Sequence, residues 1–223
     1  MTIKMRKEKL TYSNVPDHYL VYTKKMDKIY TRYAKAYDCF MAVFPLWKKW
    51  LRSVLPYLQG DRILEVSFGP AYLLTQYPKD KMLFGLDYNA VMVKRAKEKM
   101  EKCNQTVDIV KGDVTDMPYP DGFFDTIVNT MAFTGYPDGQ MALAEMLRVL
   151  KPDGVLLMLD YDYPKNRNVW GCYFVKLIEK CGDIIKDIGA LIESNGCDYQ
   201  RKIIGGFGSV QLFIIKKQGE QKQ

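Results

Sequence analysis

The stretch Ile63-Leu64-Glu65-Val66-Ser67-Phe68-Gly69-Pro70-Ala71 decides the fold. A short apolar run carries a carboxylate near its end, and small residues follow at alternate positions, Ser67, Gly69 and Ala71. Such a run, bounded by a loop of small residues, reads as a buried strand feeding a tight turn. Downstream the same texture recurs. Strands are expected at Arg62–Val66, Met82–Leu86, Thr106–Val110, Phe124–Asn129 and Gly154–Leu159, with helices at Ala90–Lys102 and Gly139–Leu150. Strands alternating with helices of this length predict a parallel sheet with crossover helices. After the fifth strand the order changes. Asn168–Lys180 and Asp183–Glu193 read as helices split at Cys181-Gly182, and Tyr199–Ile203 and Val210–Ile215 read as a hairpin around Gly205-Gly206-Phe207-Gly208.

Upstream of the stretch the chain reads helical. Tyr19, Tyr22, Met26, Tyr30, Tyr33 and Tyr37 recur at spacings of three and four, while Lys24, Lys25, Lys28, Arg32 and Lys35 fall on other faces. That is an amphipathic helix with an aromatic stripe. Phe40, Val43, Phe44, Trp47, Trp50, Leu51 and Val54 form a second stripe that ends before Pro56. The net charge of +7 is concentrated here: residues 1 to 60 hold 12 Lys/Arg against 4 Asp/Glu, and the remaining residues nearly balance. A basic segment is ordinarily a solvated face, and it can also favour anionic lipid, nucleic acid or acidic substrates. Five scattered cysteines without a CxxC, and an N-terminus without an apolar leader, point to a reducing, cytoplasmic compartment. The longest apolar run, Cys39 to Trp47, contains Pro45 and falls far short of the ~20 residues that span a bilayer. A spanning helix is excluded, and a peripheral membrane contact is allowed.

In an open parallel sheet, ligands bind beyond the carboxyl ends of the strands. The residues expected there are Glu65 to Ala71, Asp87, Asp113, Asn129 and Asp160. Carboxylates at such ends suit a ligand with hydroxyls, amines or positive charge rather than a polyphosphate. The chain has no HExxH, no phosphate-binding Walker loop and no Cys/His metal spacing, so no metal is expected. Its one histidine, His18, lies in the basic N-terminal helix and reads as a surface residue.

The motifs around these ends resemble the class I S-adenosylmethionine (SAM)-dependent methyltransferases. Residues 63–71 are similar to the family's first motif, and Phe84-Gly85-Leu86-Asp87-Tyr88-Asn89 to its second. Lys111-Gly112-Asp113-Val114 is similar to the segment beside adenine, and Asp125 to Thr130 to the fourth strand. Leu147-Arg148-Val149-Leu150-Lys151-Pro152-Asp153-Gly154 resembles the family's turn before strand five. The resemblance covers about residues 60 to 160. It departs in the first loop, where three glycines are usual and only Gly69 remains. Ser67 and Ala71 are small but do not take left-handed conformations cheaply. Pro70 is expected in the first turn of a following helix.

The resemblance implies an α/β fold, a Rossmann-like seven-stranded mostly parallel sheet with a terminal antiparallel β-hairpin, plus an N-terminal helical lid. The expected parts are 1–58, a lid and substrate segment; 59–217, the SAM-binding domain with a helical insertion at about 165–182; and 218–223, a polar tail. SAM is the implied cofactor and S-adenosylhomocysteine the product. Its expected contacts are Glu65, Ser67, Gly69, Asp87, Tyr88, Asp113, Val114 and Asn129. Asp87 would accept from the ribose hydroxyls, and Asp113 from the adenine amine beside Val114 and Met92. Asp160 and Tyr161 are the catalytic candidates, with Tyr33, Tyr37, Thr130, Met131 and Tyr163 expected around the acceptor. The implied reaction is in-line methyl transfer to a small acceptor. A lipophilic one is favoured by likeness to the ubiquinone/menaquinone and phospholipid methyltransferases, with membrane contact through the basic N-terminal helix. A nucleic-acid methyltransferase and a non-catalytic SAM-binding protein stay open as alternatives. Nucleic acid is not the expected partner, because Asn129-Thr130-Met131-Ala132 lacks the Pro-Pro-aromatic sequence of base-amine methyltransferases.

Overall fold

A computed structural model describes residues 19–29, 31, 32 and 45–218. Tyr33, Tyr37, His18 and Cys39 lie outside the described residues. The strands are β1 (Arg62–Val66), β2 (Met82–Asp87), β3 (Val107–Lys111), β4 (Phe124–Thr130), β5 (Leu150–Tyr161), β6 (Cys197–Gly205) and β7 (Val210–Lys217). The helices are α1 (residues 19–29 and 31–32), α2 (Pro45–Arg52), α3 (Ala90–Cys103), α4 (Gly139–Val149), α5 (Val169–Cys181) and α6 (Ile188–Ser194). One seven-stranded sheet runs in the order β3-β2-β1-β4-β5-β7-β6. The pairs β1/β2, β1/β4, β2/β3 and β4/β5 are parallel, and β7 is antiparallel to both β5 and β6. Only β7 is reversed, as the hairpin reading requires.

Helices cover the sheet on both faces, which explains why the central strands are apolar throughout rather than alternating. In β1, Ile63 packs in one core with Val128, Leu157 and Leu159, while Leu64 and Val66 pack in the other with Ile127, Leu156 and Met158. Helix α3 joins the first core through Met92, Val93, Ala96 and Met100, and α4 joins the second through Ala142, Leu143 and Met146. Full burial of each such side chain contributes roughly 1.5–3 kcal/mol. The crossovers from β1 and β4 thus lie on opposite faces, and the strand order reverses between these strands.

Three local readings differ from the structure. The β1–β2 connection carries only a single 3-10 turn, Leu73–Thr75, so Pro70 does not open an α-helix. In the segment expected as a turn before strand five, residues 147–149 close α4 and the rest belongs to β5, which starts at Leu150 because that residue pairs with Phe124 across a register shift. Helix α6 starts at Ile188 rather than Asp183. The preceding residues are tied elsewhere: Ile184 N–H donates to Thr134 O, Asp183 accepts from the Thr134 hydroxyl, and Asp187 caps the helix by accepting from Ala190 N–H.

Asn89 joins the sheet domain to the N-terminal helix. Its Oδ1 accepts from Val91 and Met92 N–H and caps α3. Its Nδ2 donates to Asp27 O and Oδ1 and to Thr31 Oγ1 of α1. Replacing Asn89 with Ala removes both contacts and is expected to lower stability by about 1–2 kcal/mol. Asn89→Asp keeps the cap and removes the donor, so α3 should hold while the amides of α1 exchange faster. Equal protection of α1 in the Asp variant and the parent would refute this division of labour.

Candidate cofactor and acceptor cleft

The C-terminal ends of β1, β2 and β4 open into a cleft with about 1140 Å³ of empty volume, open solvent included. Its floor comes from Glu65, Ser67, Gly69 and Asp87; Tyr88, Asn89, Gly112, Asp113 and Val114 form one side, and Thr130, Met131, Ala132, Gly135, Tyr136 and Pro137 another. Helix α1 lies over it with Tyr19, Thr23, Met26 and Asp27, and α2 contributes Leu51. Four carboxylates, Asp27, Glu65, Asp87 and Asp113, line the cleft, and no Lys, Arg or His does so among the described residues. In a chain of net charge +7 this cleft is locally acidic.

The loop after β1 takes an unusual backbone. Ser67, Gly69 and Ala71 all have left-handed conformations, with φ of 53°, 51° and 55°. The alternate positions therefore share one geometry, although only one is glycine. The two side chains that pay for it cost roughly 1–2 kcal/mol each, and the surroundings hold them there. Gly69 N–H donates to Asp87 Oδ2 at 3.0 Å, Ser67 N–H donates to Leu86 O at 2.7 Å, and Lys99 Nζ donates to Pro70 O at 2.8 Å. The Ser67 hydroxyl accepts from Tyr136 Oη, which in turn accepts from Asn129 Nδ2, both at 2.7 Å.

Burial governs the electrostatics. Glu65 is 2% exposed, and its Oε2 has no hydrogen-bond partner among the described residues. Desolvation pushes its pKa up to about 8; the Tyr77 hydroxyl and Lys99 oppose the shift and Asp87 adds to it. Desolvation likewise raises Asp87 to about 6, against the N–H groups of Asn89 and Gly69 that favour its charged form. A buried carboxylate with an unpaired oxygen, in a cleft whose described lining holds no side-chain cation, is matched to a cationic group. The ammonium of SAM's amino-acid head meets that requirement, and a polyphosphate does not.

The structure gathers Glu65, Ser67, Gly69, Asp87, Tyr88, Asp113, Val114, Thr130 and Met131 around one cleft. It does not bring Asn129, Asp160, Tyr161 or Tyr163 there. Asn129 is fully buried behind the loop and holds Tyr136. Asp160 is fully buried and points into the loop after β4: it accepts from Phe133 and Thr134 N–H, the Thr134 hydroxyl and Tyr161 N–H. Tyr161 packs between Trp47 and Phe174, and Tyr163 donates to Glu179. Asp113 is largely spent on its own turn, where Oδ1 accepts from Thr115 N–H and Oγ1 and from Tyr19 Oη. Sequence reasoning missed Tyr136, which sits in an irregular loop where no periodicity marks it. It also missed the Lys99 tie to Pro70, whose one trace is a lysine on the helix face turned to the loop.

Glu65, Asp87 and Asp160 all hold protons more tightly in the folded chain than in the unfolded one. The unfolded chain releases those protons first, so ligand-free stability falls as pH rises from the ordinary carboxylate range to about 8. Glu65→Gln is expected to flatten this decline and to give a higher Tm than the parent above pH 8. Thermal melts across pH check it, and a Tm at alkaline pH equal to or below the parent's refutes it.

Residues 64–158 match a family model described as a methyltransferase domain. The ubiquinone/menaquinone biosynthesis C-methyltransferase UbiE of Stutzerimonas stutzeri is 28% identical over 189 residues, covering 78% of this chain and 73% of that protein. The demethylmenaquinone methyltransferase of Listeria welshimeri is 27% identical over 164 residues, covering 68% and 70%. A solved SAM-dependent methyltransferase from Thermotoga maritima shares the fold, with a TM-score of 0.68 at 18% identity over 86% of this chain and 100% of that one. Matching motifs, sheet order and acidic cleft agree with these likenesses: the chain carries a methyltransferase domain and resembles the class I SAM-dependent methyltransferases, the ubiquinone/menaquinone methyltransferases among them.

Proposed function

We propose that the chain methylates a small, lipophilic, quinone-type acceptor, by in-line displacement inside the cleft. The observation that carries this reading is the apolar share of the cleft's lining, where Leu51, Met131, Ala132, Gly135 and Pro137 stand beside Met26 of α1. An apolar ring lies against such a lining without leaving buried polar groups unpaired. The names of the two curated relatives agree with it.

In this reading, Glu65 takes the ammonium of the cofactor's amino-acid head and becomes ionised against its positive charge. Asp87 keeps lone pairs for the ribose hydroxyls beyond its two backbone donors. Val114 and Met92 flank the adenine, and Asp113 sits beside it under Tyr19. SAM, when bound, supplies an electrophilic methyl carbon on a sulfonium. The protein's contribution is placement and exclusion of water. Residues 1–58 act as a lid, with Tyr33 and Tyr37 near the acceptor, and Asp160 acts by positioning the loop that carries Met131 to Tyr136. The wider setting proposed is a reducing, cytoplasmic one with peripheral membrane contact. No helix among the described residues is long and apolar enough to cross a membrane.

Labelled SAM offered with quinols, phospholipids, thiols and amines tests the acceptor. Label in the quinol fraction is expected. Label only in thiols or amines overturns the acceptor class, and tight SAM binding without transfer to any of them favours a non-catalytic binder. Gly69→Ala tests the cradle. A Cβ there meets no protein atom within 4 Å, so only the left-handed strain of about 1 kcal/mol is lost in stability. SAM affinity measured by calorimetry should fall further, by about tenfold or more, because the added methyl enters the cleft. Unchanged affinity would remove Gly69 from the cofactor contacts.

A further inference from the structure

Helix α5 is a surface helix with the wrong outward face for water. Gly171, Phe174, Val175 and Ile178 pack inward. The opposite side carries Trp170, Tyr173 and Leu177 at spacings of three and four, and these are 70%, 65% and 48% exposed. Lys176 and Lys180 stand among them, with Lys165 and Arg167 in the preceding turn. The single acidic side chain of α5, Glu179, accepts from Tyr163 Oη. A water-facing helix side normally carries mixed charge; this one carries aromatic and aliphatic side chains among cations.

The β6–β7 turn extends the same surface. Phe207 is 67% exposed, and its ring lies 6.5 Å from that of Trp170. Its backbone is left-handed, with φ of 56°, a strained state for a bulky residue. Two contacts hold it. Asn168 Nδ2 donates to Phe207 O at 2.8 Å, and Gly171 lets the turn approach α5 closely, since a Cβ at Gly171 would come within 2.7 Å of that oxygen. The chain thus fixes an aromatic ring in solvent beside an exposed tryptophan.

Position adds the last element. Strand β6 runs in the direction of β1 to β5, so its turn into β7 lies at the C-terminal edge of the sheet, the edge on which the cleft opens. Helix α5 begins beyond the end of β5 at this edge. Helix α2 bridges the two regions, with Leu51 in the cleft and Trp47 against Tyr161, which contacts Phe174 of α5.

We propose that the outward face of α5 and the Phe207 turn form a docking surface for an anionic lipid bilayer. Trp170, Tyr173, Leu177 and Phe207 enter the interfacial layer, and Lys165, Arg167, Lys176 and Lys180 meet lipid phosphates. Its residues belong to α5, the turn before it and the β6–β7 turn, not to the basic N-terminal segment. Docking turns the cleft edge toward the membrane, a benefit that rests on the lipophilic-acceptor reading; the docking itself does not.

The test is co-sedimentation of the full chain with vesicles of phosphatidylglycerol and phosphatidylcholine in equal parts, beside phosphatidylcholine alone. Binding to the anionic vesicles, and its weakening by salt, are expected. Trp170→Ser with Phe207→Ser should reduce partitioning by about a hundredfold, following the loss of two buried aromatic side chains. Lys176→Gln with Lys180→Gln should reduce it by about fivefold per lysine on anionic vesicles only. Both pairs are exposed, so Tm and SAM affinity should match the parent. That agreement separates this proposal from the acceptor assignment, which can fail while docking stands. Parent-like partitioning by the Ser pair overturns the proposal. So does a chain that ignores anionic vesicles but self-associates in sedimentation equilibrium and becomes monomeric in the Ser pair, which would make the face an interface between copies.

Discussion

Asp87 ends β2 with each carboxylate oxygen holding a different piece of backbone. One oxygen accepts from Gly69 N–H and the other from Asn89 N–H. The first bond fixes the left-handed loop after β1, and the second fixes the residue that caps α3 and anchors α1. Floor, side and roof of the cleft are thereby set by one buried acid. The cost is a desolvated carboxylate, visible in its raised pKa. The N–H donors offset part of that cost, and they can do so only because parallel pairing brings the ends of β1 and β2 to one edge.

The charge distribution has its own logic. The chain is basic overall, yet the described lining of the cleft holds only acidic charge. Glu65 is the extreme case, buried without a partner for one oxygen and held toward its neutral form. Such a group stores unfavourable energy in the empty protein that a cationic ligand releases on binding.

The parallel strands, their order along the chain and the closing hairpin were legible, because apolar runs and helical periods carry that information directly. The acidic floor was legible as strand ends. What pattern could not supply was the direction in which a strand-end side chain points. Asp160 and Asn129 occupy the same kind of position as Glu65 and Asp87, yet they turn into the loop that forms one side of the cleft and bind Thr134 and Tyr136. Composition was also a poor guide to backbone state. Ser67 and Ala71 adopt the left-handed conformation that glycine takes most readily, so three alternate positions share one geometry with a single glycine among them. The start of α6 shifted because Asp183 and Ile184 bond to a distant loop, a tertiary effect that helical periodicity does not register.

The order β3-β2-β1-β4-β5-β7-β6 leaves β3 and β6 at the two margins of the sheet. A free margin offers unpaired backbone groups to any passing extended chain and is a common seed of aggregation. Strand β3 carries Asp108 and Lys111, and β6 carries Asp198, Arg201 and Lys202. Adding a further strand at either side would desolvate these charges. The molecule can therefore display aromatic rings on one helix and one turn and still resist growth into a continuous sheet with its own copies.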